Sequence, residues 1–256
     1  MVNKSVINNN FSKSAFSYDD HSHMQKRCAG KLIDMLGRKE CSRILEIGCG
    51  TGVYTRLLND RYPKAHITAT DISELMVGVA RKRFHDKRVK FLTADGDLMV
   101  PVAGHDLITS NASFQWFDDL RGAFERYAAA MASEGVFCFS MYGPGTFKEL
   151  KEIVRLCFGP ESTLSSDRFI DLEDLRDMLG GVFRAFDLKE EFFTVEFPSL
   201  MDLLVDIKHS GARGEGIGKD HFLGKNMIRD MERTYLRKYG KITATHHVYF
   251  CKAVIG

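Results

Sequence analysis

The stretch EIGCGTG at residues 46–52 decides the fold of this chain. The apolar run at 44–47 predicts a short buried strand that ends at the first glycine of this stretch. Three glycines let the backbone turn tightly and approach a ligand, because no Cβ stands in the way. Apolar residues at helical spacing follow from Val53, so the loop leads into a helix N-terminus, which attracts negative charge.

A second strand is predicted at 66–70, and Asp71 closes it. A carboxylate at this position of an α/β unit can accept hydrogen bonds from two ribose hydroxyls. Further strands are predicted at 89–93, 105–109 and 135–140, and helical runs alternate with them. This alternation is typical of a parallel sheet with helices on both faces. The sequence therefore predicts a nucleoside cofactor at the carboxyl edge of such a sheet.

The spacing of the glycines distinguishes between two kinds of nucleoside cofactor. A dinucleotide loop usually has the spacing G-x-G-x-x-G, with the pyrophosphate at the helix N-terminus. Here the spacing is G-x-G-x-G, and the acid Glu46 stands two residues before the first glycine. Its carboxylate would repel a pyrophosphate but would suit the ammonium and sulfonium of S-adenosylmethionine. The residues of this stretch predicted to bind the cofactor are Glu46, Gly48, Cys49, Gly50 and Gly52.

Glu46, the glycines and Asp71 together resemble motif I of class I S-adenosylmethionine-dependent methyltransferases. This resemblance implies an α/β, Rossmann-like fold with a seven-stranded, mostly parallel sheet, helices on both faces, an N-terminal lid helix and a helical cap. It also implies that Asp95 meets the adenine amino group, although an Asp before Gly is common in simple turns. The other residues expected at the cofactor are Gln25, Ile72, Met76, Ala94, Gly96 and Asn111.

Composition excludes several classes of protein. The net charge of +2 implies no electrostatic commitment to nucleic acid, and the 44% of hydrophobic residues is ample for a buried core. The six cysteines are scattered without C-x-x-C spacing, which favours buried thiols in a reducing compartment over disulfides or metal ligands. The polar N-terminus has no apolar signal core, and no run approaches the ~20 apolar residues of a membrane span. We therefore expect a soluble cytoplasmic protein without a metal.

The regions outside the core suggest a lid and a cap. We place an N-terminal lid segment at 1–40, the cofactor-binding core at 41–142 and cap helices at 143–186. Residues 187–256 should contain the last strands of the sheet, with further cap helices inserted at 199–240. A helical stripe from Met24 to Leu36 is typical of a helix that closes over a cofactor. In the preceding segment, Phe11 and Phe16 are expected to pack this helix against the sheet. Tyr18 is assigned to the site, because a buried hydroxyl needs a partner.

Several segments, in order along nearly the whole chain, resemble the malonyl-acyl carrier protein O-methyltransferases of biotin synthesis. The matches are F-x-K-x-A-x-x-Y at 11–18, S-N-x-x-x-Q-W at 110–116, G-P-G-T at 143–146, R-F at 168–169 and I-K-x-x-G-A at 207–212. Two positions depart from the family pattern, because Asp167 replaces an Asn and His246 stands where an aromatic residue is common. These departures affect the expected substrate wall but not the chemistry.

The resemblance implies methylation of the free carboxylate of a malonyl thioester on acyl carrier protein. A carboxylate is ionised at neutral pH, so the reaction needs no general base. The expected catalytic residues are Tyr18, Asn111, Gln115 and Trp116, and the expected substrate contacts are Tyr18, Arg168, Lys208, Gly211 and Trp116. A buried carboxylate needs a cationic or hydrogen-bonding partner, which favours Arg168 or Lys208. The alternatives are an ion pair of Arg168 with Asp167 or Asp171, a solvated Lys208, and a Trp116 that only packs.

A basic helix is predicted at 225–239, with cations at i, i+4 spacing. Lys225, Arg229, Arg233 and Arg237 form a stripe that could dock an acidic acyl carrier protein. The alternative is a solvated helix face paired with nearby acids. Three competing functions also remain open: methylation of another small carboxylic acid such as trans-aconitate, non-catalytic S-adenosylmethionine binding, and a nicotinamide-dependent oxidoreductase.

Overall fold

A computed structural model describes residues 3–37, 40–210 and 224–255. Its centre is a seven-stranded sheet. The strands are β1 (Arg43–Ile47), β2 (His66–Asp71), β3 (Val89–Thr93), β4 (His105–Asn111), β5 (Met131–Tyr142), β6 (Ala185–Phe197) and β7 (Ile242–Val254). Their order across the sheet is β3-β2-β1-β4-β5-β7-β6. Strand β7 runs antiparallel to β5 and β6, and the other neighbouring pairs of described strands are parallel. The predicted fold class is confirmed.

The strand register brings the carboxyl ends of the central strands to one edge. Ile47, the last residue of β1, pairs with Thr70 on one side and with Ser110 on the other. Asp71 of β2 and Asn111 of β4 each lie one position beyond these partners. The side chains that the sequence places at strand ends therefore meet at a single edge of the sheet.

The helices begin at recognisable signals. They are α1 (Lys4–Ser14), α2 (Tyr18–His21), α3 (His23–Leu36), α4 (Val53–Arg61), α5 (Glu74–Arg83), α6 (Leu120–Ala130), α7 (Lys148–Phe158), α8 (Leu172–Val182), α9 (Leu200–His209) and α10 (Lys225–Tyr239). The side chains of Ser73, Asp119, Asp171 and Ser199 accept hydrogen bonds from the backbone N–H groups of the first turns of α5, α6, α8 and α9. These caps satisfy donors that the helices leave free.

Two apolar layers cover the sheet. Helices α3, α4 and α5 bury one face, and α6 and α8 bury the other. Successive strand residues point to opposite faces, so Ile44 joins the first layer while Leu45 and Ile47 join the second. All three are at most 2% exposed. Burial on both faces explains why Ile44, Leu45 and Ile47 of β1 are all apolar. Glu46 is the polar exception among the buried residues of this strand.

A third apolar cluster forms the cap. Helices α7, α9 and α10 pack Leu150, Leu203 and Met231 together at one end of β7. Helix α8 lies elsewhere, because Leu175 and Leu179 are fully buried in the layer beneath the sheet. The range 143–186, predicted to contain only cap helices, therefore includes one helix, α8, that covers the sheet instead.

The helix at the cavity is a different one from the helix predicted as the lid. Helix α3 packs on the sheet, with Cys28, Ala29 and Leu32 fully buried, so most of it is core. Helix α1, which the sequence analysis did not separate from the polar N-terminus, covers the site instead. The side chain of Asn3 caps it by accepting from the N–H of Val6 at 3.1 Å.

All six cysteines are free thiols, and five of them are buried. Within the described segments, no helix combines the length and the apolar character needed to cross a membrane.

His246 of β7 is an uncharged imidazole in the interior. It is 7% exposed and lies beside the rings of Phe147 and Tyr142, at centroid distances of 5.2 and 6.0 Å. Its Nδ1 has no hydrogen-bond partner in the part of the chain that the structure describes. Burial lowers the pKa of His246 from 6.5 to about 4. Protonation of this side chain therefore opposes folding.

The substitution His246→Phe should remove part of the acid sensitivity of the fold. The unfolded chain binds a proton at this histidine near pH 6.5, whereas the folded chain binds it only near pH 4, so the wild type loses stability as the pH falls between these values. Relative to the variant, this loss should amount to about 2 kcal/mol between pH 7 and pH 5. Urea unfolding at both pH values measures it.

The matched control is His85→Phe, which exchanges the same residue types at an exposed position. We expect this control to keep the acid sensitivity of the wild type. Equal losses of stability in His246→Phe and the wild type would contradict the assignment.

Candidate active site

The glycine loop is held in place by the end of β2. The backbone N–H groups of Gly48 and Cys49 both donate to the carbonyl oxygen of Thr70, at 2.8 and 2.9 Å. Gly48 and Gly50 have φ angles of +74° and +53°, which a residue with a Cβ rarely adopts. A Cβ on Gly48 would lie 2.4 Å from the Cβ of Ser113. The loop therefore requires glycine for its conformation and for close packing.

A cavity of about 650 Å³ opens beside this loop. The predicted site residues that line it are Tyr18, Gly48, Gly50, Asp71, Ile72, Ala94, Asp95, Gly96, Asn111 and Trp116. A smaller cavity of about 340 Å³ shares Tyr18, Gly48, Gly50 and Asn111 with it and adds Gln25 and Cys49. Residues far apart in sequence are thus brought to one continuous site.

Asp71 joins the glycine loop to the cavity. One carboxylate oxygen accepts from the N–H of Gly50 at 2.8 Å, and the other accepts from the N–H of Ser73 at 2.8 Å. Burial raises the pKa of Asp71 above its ordinary value of 3.8. The two hydrogen bonds offset only part of this increase. Each oxygen of an ionised carboxylate has a second lone pair. Asp71 can therefore hold the loop and still accept two hydroxyl groups.

The Ala94–Gly96 segment forms the far end of the larger cavity. Oδ1 of Asp95 accepts from the N–H of Asp97 at 3.0 Å, which orients the carboxylate. A Cβ on Gly96 would lie 2.6 Å from Ile47 and 2.9 Å from Phe117, so this position also requires glycine. The carboxylate of Asp95 faces the cavity, as its proposed contact with an adenine amino group requires.

Glu46 lies beneath the loop, not on the wall of either cavity. It is 1% exposed, and its Oε2 has no hydrogen-bond partner among residues 3–37, 40–210 and 224–255. Burial raises the pKa of Glu46 to about 8. A cation bound above the loop would favour the ionised carboxylate. A buried acid with one oxygen free of hydrogen bonds to the described residues at this point fits the cationic end of S-adenosylmethionine.

Two residues predicted at the cofactor have other contacts. A Cβ on Gly52 would lie 2.9 Å from Phe84 and 3.3 Å from Ala80, so this glycine permits α4 to pack against α5. Met76 is 1% exposed within α5, and its N–H donates to the Ser73 side chain. Neither residue lines the two cavities described above, and their contact with the cofactor stays a prediction.

Aromatic side chains line the opposite end of the cavity. The ring of Phe11 lies 6.3 Å from Tyr18 and 6.5 Å from Trp116, and Trp116 lies 5.5 Å from Phe169. The expectation that Phe11 and Phe16 only pack α3 against the sheet is wrong, because Phe11 lines the cavity and Phe16 is 79% exposed. Burial raises the pKa of Tyr18, so its phenol stays protonated and can serve as a hydrogen-bond donor.

Asn111 and Gln115 use their amides within the protein. Asn111 lines both cavities while its Nδ2 donates to the Gln25 carbonyl at 3.0 Å and its Oδ1 accepts from Ser140 at 2.8 Å. Gln115 lines neither cavity. Its Nε2 donates to the Ala112 carbonyl at 2.7 Å, and its Oε1 accepts from the N–H of Tyr142 at 3.3 Å. Gln115 therefore braces the wall, which corrects its predicted role as a direct contact.

The two predicted cations lie on the outside of the site. Arg168 and Lys208 are exposed, and neither lines the two cavities. Arg168 precedes Phe169, which packs on Trp116, and the carbonyl of Lys208 accepts from Ser14 at 3.2 Å. Both backbones are thus close to the site, but a buried carboxylate clamp is not formed. Gly211 and Ala212, the other predicted members of this group, lie outside the described residues.

The sequence analysis missed seven residues that line the larger cavity: Lys4, Ile7, Phe11, Ile47, Ala112, Ser113 and Phe117. Lys4, Ile7 and Phe11 of α1 line the larger cavity together. Their i, i+3 and i+7 spacing places them on one helix face and is the signal that could have revealed them.

The substitution Asp71→Ala should weaken binding of S-adenosylhomocysteine by about 100-fold or more, because it removes the two hydroxyl acceptors and a ligand of the loop. Isothermal titration calorimetry measures the dissociation constant. Asp60→Asn, an exposed acid in α4, is the control and should bind as the wild type does. A change of less than threefold in Asp71→Ala would reject the assigned role.

The pH dependence of binding should reveal Glu46. Because the folded pKa is about 8, Glu46 is mostly protonated below this pH and ionises above it. The sulfonium favours the ionised form, so the affinity for S-adenosylmethionine relative to S-adenosylhomocysteine should rise between pH 6 and pH 9. Glu46→Gln should abolish this rise. A ratio that is independent of pH in the wild type would contradict the assignment.

Comparison with known proteins agrees with this geometry. A family model described as a methyltransferase domain matches residues 44–135. The YcgJ protein of Bacillus subtilis covers 90% of this chain and 98% of its own, with a TM-score of 0.62 and 15% identity. Phosphoethanolamine N-methyltransferase 2 of Haemonchus contortus, solved with S-adenosyl-L-methionine, covers 96% of this chain and 57% of its own, with a TM-score of 0.62 and 17% identity. At these identities the similarity shows the fold.

Curated relatives show the family. A malonyl-acyl-carrier protein O-methyltransferase of Acetivibrio thermocellus is 33% identical over 98% of this chain and 93% of its own length. A protein of Ilyobacter polytropus with the same name, numbered 1, is 32% identical over 98% of this chain and 94% of its own length. S-Adenosylmethionine is the cofactor that the family and the solved neighbours share. This chain therefore belongs to the malonyl-acyl-carrier protein O-methyltransferase family and is an S-adenosylmethionine-dependent methyltransferase.

Proposed function

We propose that this enzyme methylates the free carboxylate of a malonyl thioester carried on acyl carrier protein. The products are the methyl ester and S-adenosylhomocysteine, and the step belongs to the early part of biotin synthesis. The observation that carries the proposal is similarity over 98% of the chain to relatives named for this reaction. That similarity extends well beyond the methyltransferase domain at 44–135 and into the cap.

The chemistry of the site is compatible with a carboxylate acceptor. When bound, S-adenosylmethionine supplies a methyl group on a sulfonium centre. A malonyl carboxylate is already ionised at neutral pH, so the protein needs to hold it in line rather than to deprotonate it. Tyr18 suits this task, because burial raises the pKa of its phenol and leaves it as a donor. A phenol or ammonium acceptor would instead need a base.

The aromatic wall excludes water from the acceptor end. Phe11 and Trp116 both line the cavity, their rings lie edge to face at a centroid distance of 6.5 Å, and Trp116 is 7% exposed. The apolar part of a thioester can pack on such a wall, while Asn111 and Tyr18 offer polar contacts. We propose that the enzyme accelerates methyl transfer by holding the carboxylate between Asn111, Tyr18 and the aromatic wall.

Arg168 and Lys208 are proposed to attract the acceptor from outside the cavity. Both are exposed, so a direct buried clamp would require them to move inward. Exposed cations near a cavity raise the local concentration of an anionic substrate without that movement. Gly211 remains part of the proposed substrate-binding segment next to Lys208.

Helix α10 is the proposed dock for the carrier protein. Its apolar face packs Met231 and Tyr235 into the cap, where both are fully buried. The cations of the stripe lie on the outer face and are all exposed: Lys225, Arg229, Arg233 and Arg237. Only Arg233 makes an ion pair within its own helix, with Asp230 at 3.4 Å, among the stripe residues described. An exposed positive stripe complements an acidic carrier.

The acceptor is tested with labelled S-adenosylmethionine. We expect methyl transfer to malonyl-acyl carrier protein and to malonyl-coenzyme A. The control is the acetyl thioester, which lacks the free carboxylate and should receive no label. Transfer to trans-aconitate with none to the malonyl thioesters would favour the alternative acid acceptor. Cofactor binding without transfer to any of these acids would favour a non-catalytic protein.

The dock is tested by charge reversal. The variant Arg229→Glu, Arg233→Glu, Arg237→Glu should raise the Michaelis constant for malonyl-acyl carrier protein by about tenfold or more, because the reversed charges repel the carrier. The constant for malonyl-coenzyme A should change much less. The control for altered net charge is Lys64→Glu, Lys82→Glu, Lys90→Glu, which reverses three exposed cations outside α10. Equal effects on both acceptors would reject the dock.

A further inference from the structure

Helix α1 covers the cofactor cavity along its length. Lys4, Ile7 and Phe11 face the cavity from this helix, and Ile7 is 3% exposed. Gly48 and Asp71 form part of the opposite wall. A cofactor held by Asp71 therefore lies beneath α1, and its exchange requires this helix to move.

The C-terminal end of α1 is joined to the protein by neutral contacts. The hydroxyl groups of Ser12 and Ser73 lie 2.8 Å apart, which connects α1 to the start of α5. The hydroxyl of Ser14 donates to the carbonyl of Lys208 in α9 at 3.2 Å. These contacts hold α1 near the acceptor end of the cavity.

The N-terminal end of α1 is joined by charge. Nζ of Lys4 lies 3.0 Å from Oδ1 of Asp95 and 2.8 Å from Oδ2 of Asp97, and it also lies 5.2 Å from the centre of the Phe117 ring. Asp97 is 3% exposed, and its carboxylate accepts from the N–H groups of Asp118 and Asp119. The Lys4 side chain is 25% exposed, so salt screens this bridge less than it screens a fully exposed pair.

We propose that Lys4 is a latch that holds α1 closed over the adenine end and sets the rate at which cofactor and product exchange. Opening α1 separates one ammonium from two carboxylates, one of them buried. Asp95 can serve Lys4 and the adenine amino group together, because a carboxylate has about four lone-pair sites. The latch depends on the S-adenosylmethionine site alone and is independent of which acid the enzyme methylates.

Dissociation of S-adenosylhomocysteine tests the latch in the full chain. Trp116, the single tryptophan, lines the cavity and provides a fluorescence signal for stopped-flow displacement by excess S-adenosylmethionine. Lys4→Met should raise the dissociation rate by about tenfold, since the loss of a partly buried charge pair acts mainly on dissociation. Lys4→Arg retains the charge and should stay within about threefold of the wild type. Lys13→Met, at an exposed position of the same helix, should have no effect.

Ionic strength gives a test that needs no variant. Raising the salt concentration should speed dissociation from the wild type, because it weakens the bridge, and should speed it less from Lys4→Met. The proposal is overturned if the Lys4→Met rate lies within twofold of the wild type, if Lys13→Met is equally fast, or if Lys4→Arg behaves as Lys4→Met. If Lys4→Met does not fold, a wild-type rate that is independent of salt overturns it.

Discussion

The contact between the glycine loop and the end of β2 is the constraint on which the site depends. Thr70 accepts two successive loop N–H groups through one carbonyl oxygen, and Asp71 accepts a third from Gly50. These three bonds hold a loop whose backbone has positive φ angles, which only glycine adopts readily, at Gly48, Gly50 and Gly52. They also place the Asp71 carboxylate at the cavity wall. One short segment of β2 thus shapes the loop and supplies the carboxylate that we propose as the ribose ligand.

Charge is divided between the two sides of the site. The cofactor side contains the carboxylates of Glu46, Asp71 and Asp95, of which Glu46 is almost fully buried. The exposed cations Arg168 and Lys208 line neither cavity and are proposed to attract the acceptor from outside. This division suits a cationic methyl donor and an anionic acceptor, because each is drawn to the side that binds it and repelled from the other.

The sheet and the cofactor residues were predictable because strand position alone determines them. Acids at the ends of successive parallel strands must meet at one edge, which is why Asp71 and Asp95 were placed correctly before any side-chain contact was known. The seven strands followed from apolar runs and their alternation with helices. The glycine loop followed from its spacing.

Other features depend on contacts that a single sequence does not contain. Helix α1 lies in a polar, Asn-rich segment, and the spacing of Lys4, Ile7 and Phe11 on one face does not tell what that face covers. Gln115 belongs to a motif, but its role depends on the backbone of Tyr142, which is distant in sequence. Helix α8 has the apolar stripe of any amphipathic helix, and that stripe does not say whether a cap or the sheet covers it. Motif matching likewise identified Arg168, but a motif does not tell in which direction the side chain points.

A crystal structure of the enzyme with S-adenosylhomocysteine would test the central claim most directly. The account predicts that both ribose hydroxyls donate to the carboxylate of Asp71 and that the adenine lies between Ile72 and the Ala94–Gly96 segment, with its amino group at Asp95. Helix α1 should lie over the adenosine with Lys4 still at Asp97. An adenosine bound away from Asp71, or a glycine loop that has lost its bonds to Thr70, would contradict the account.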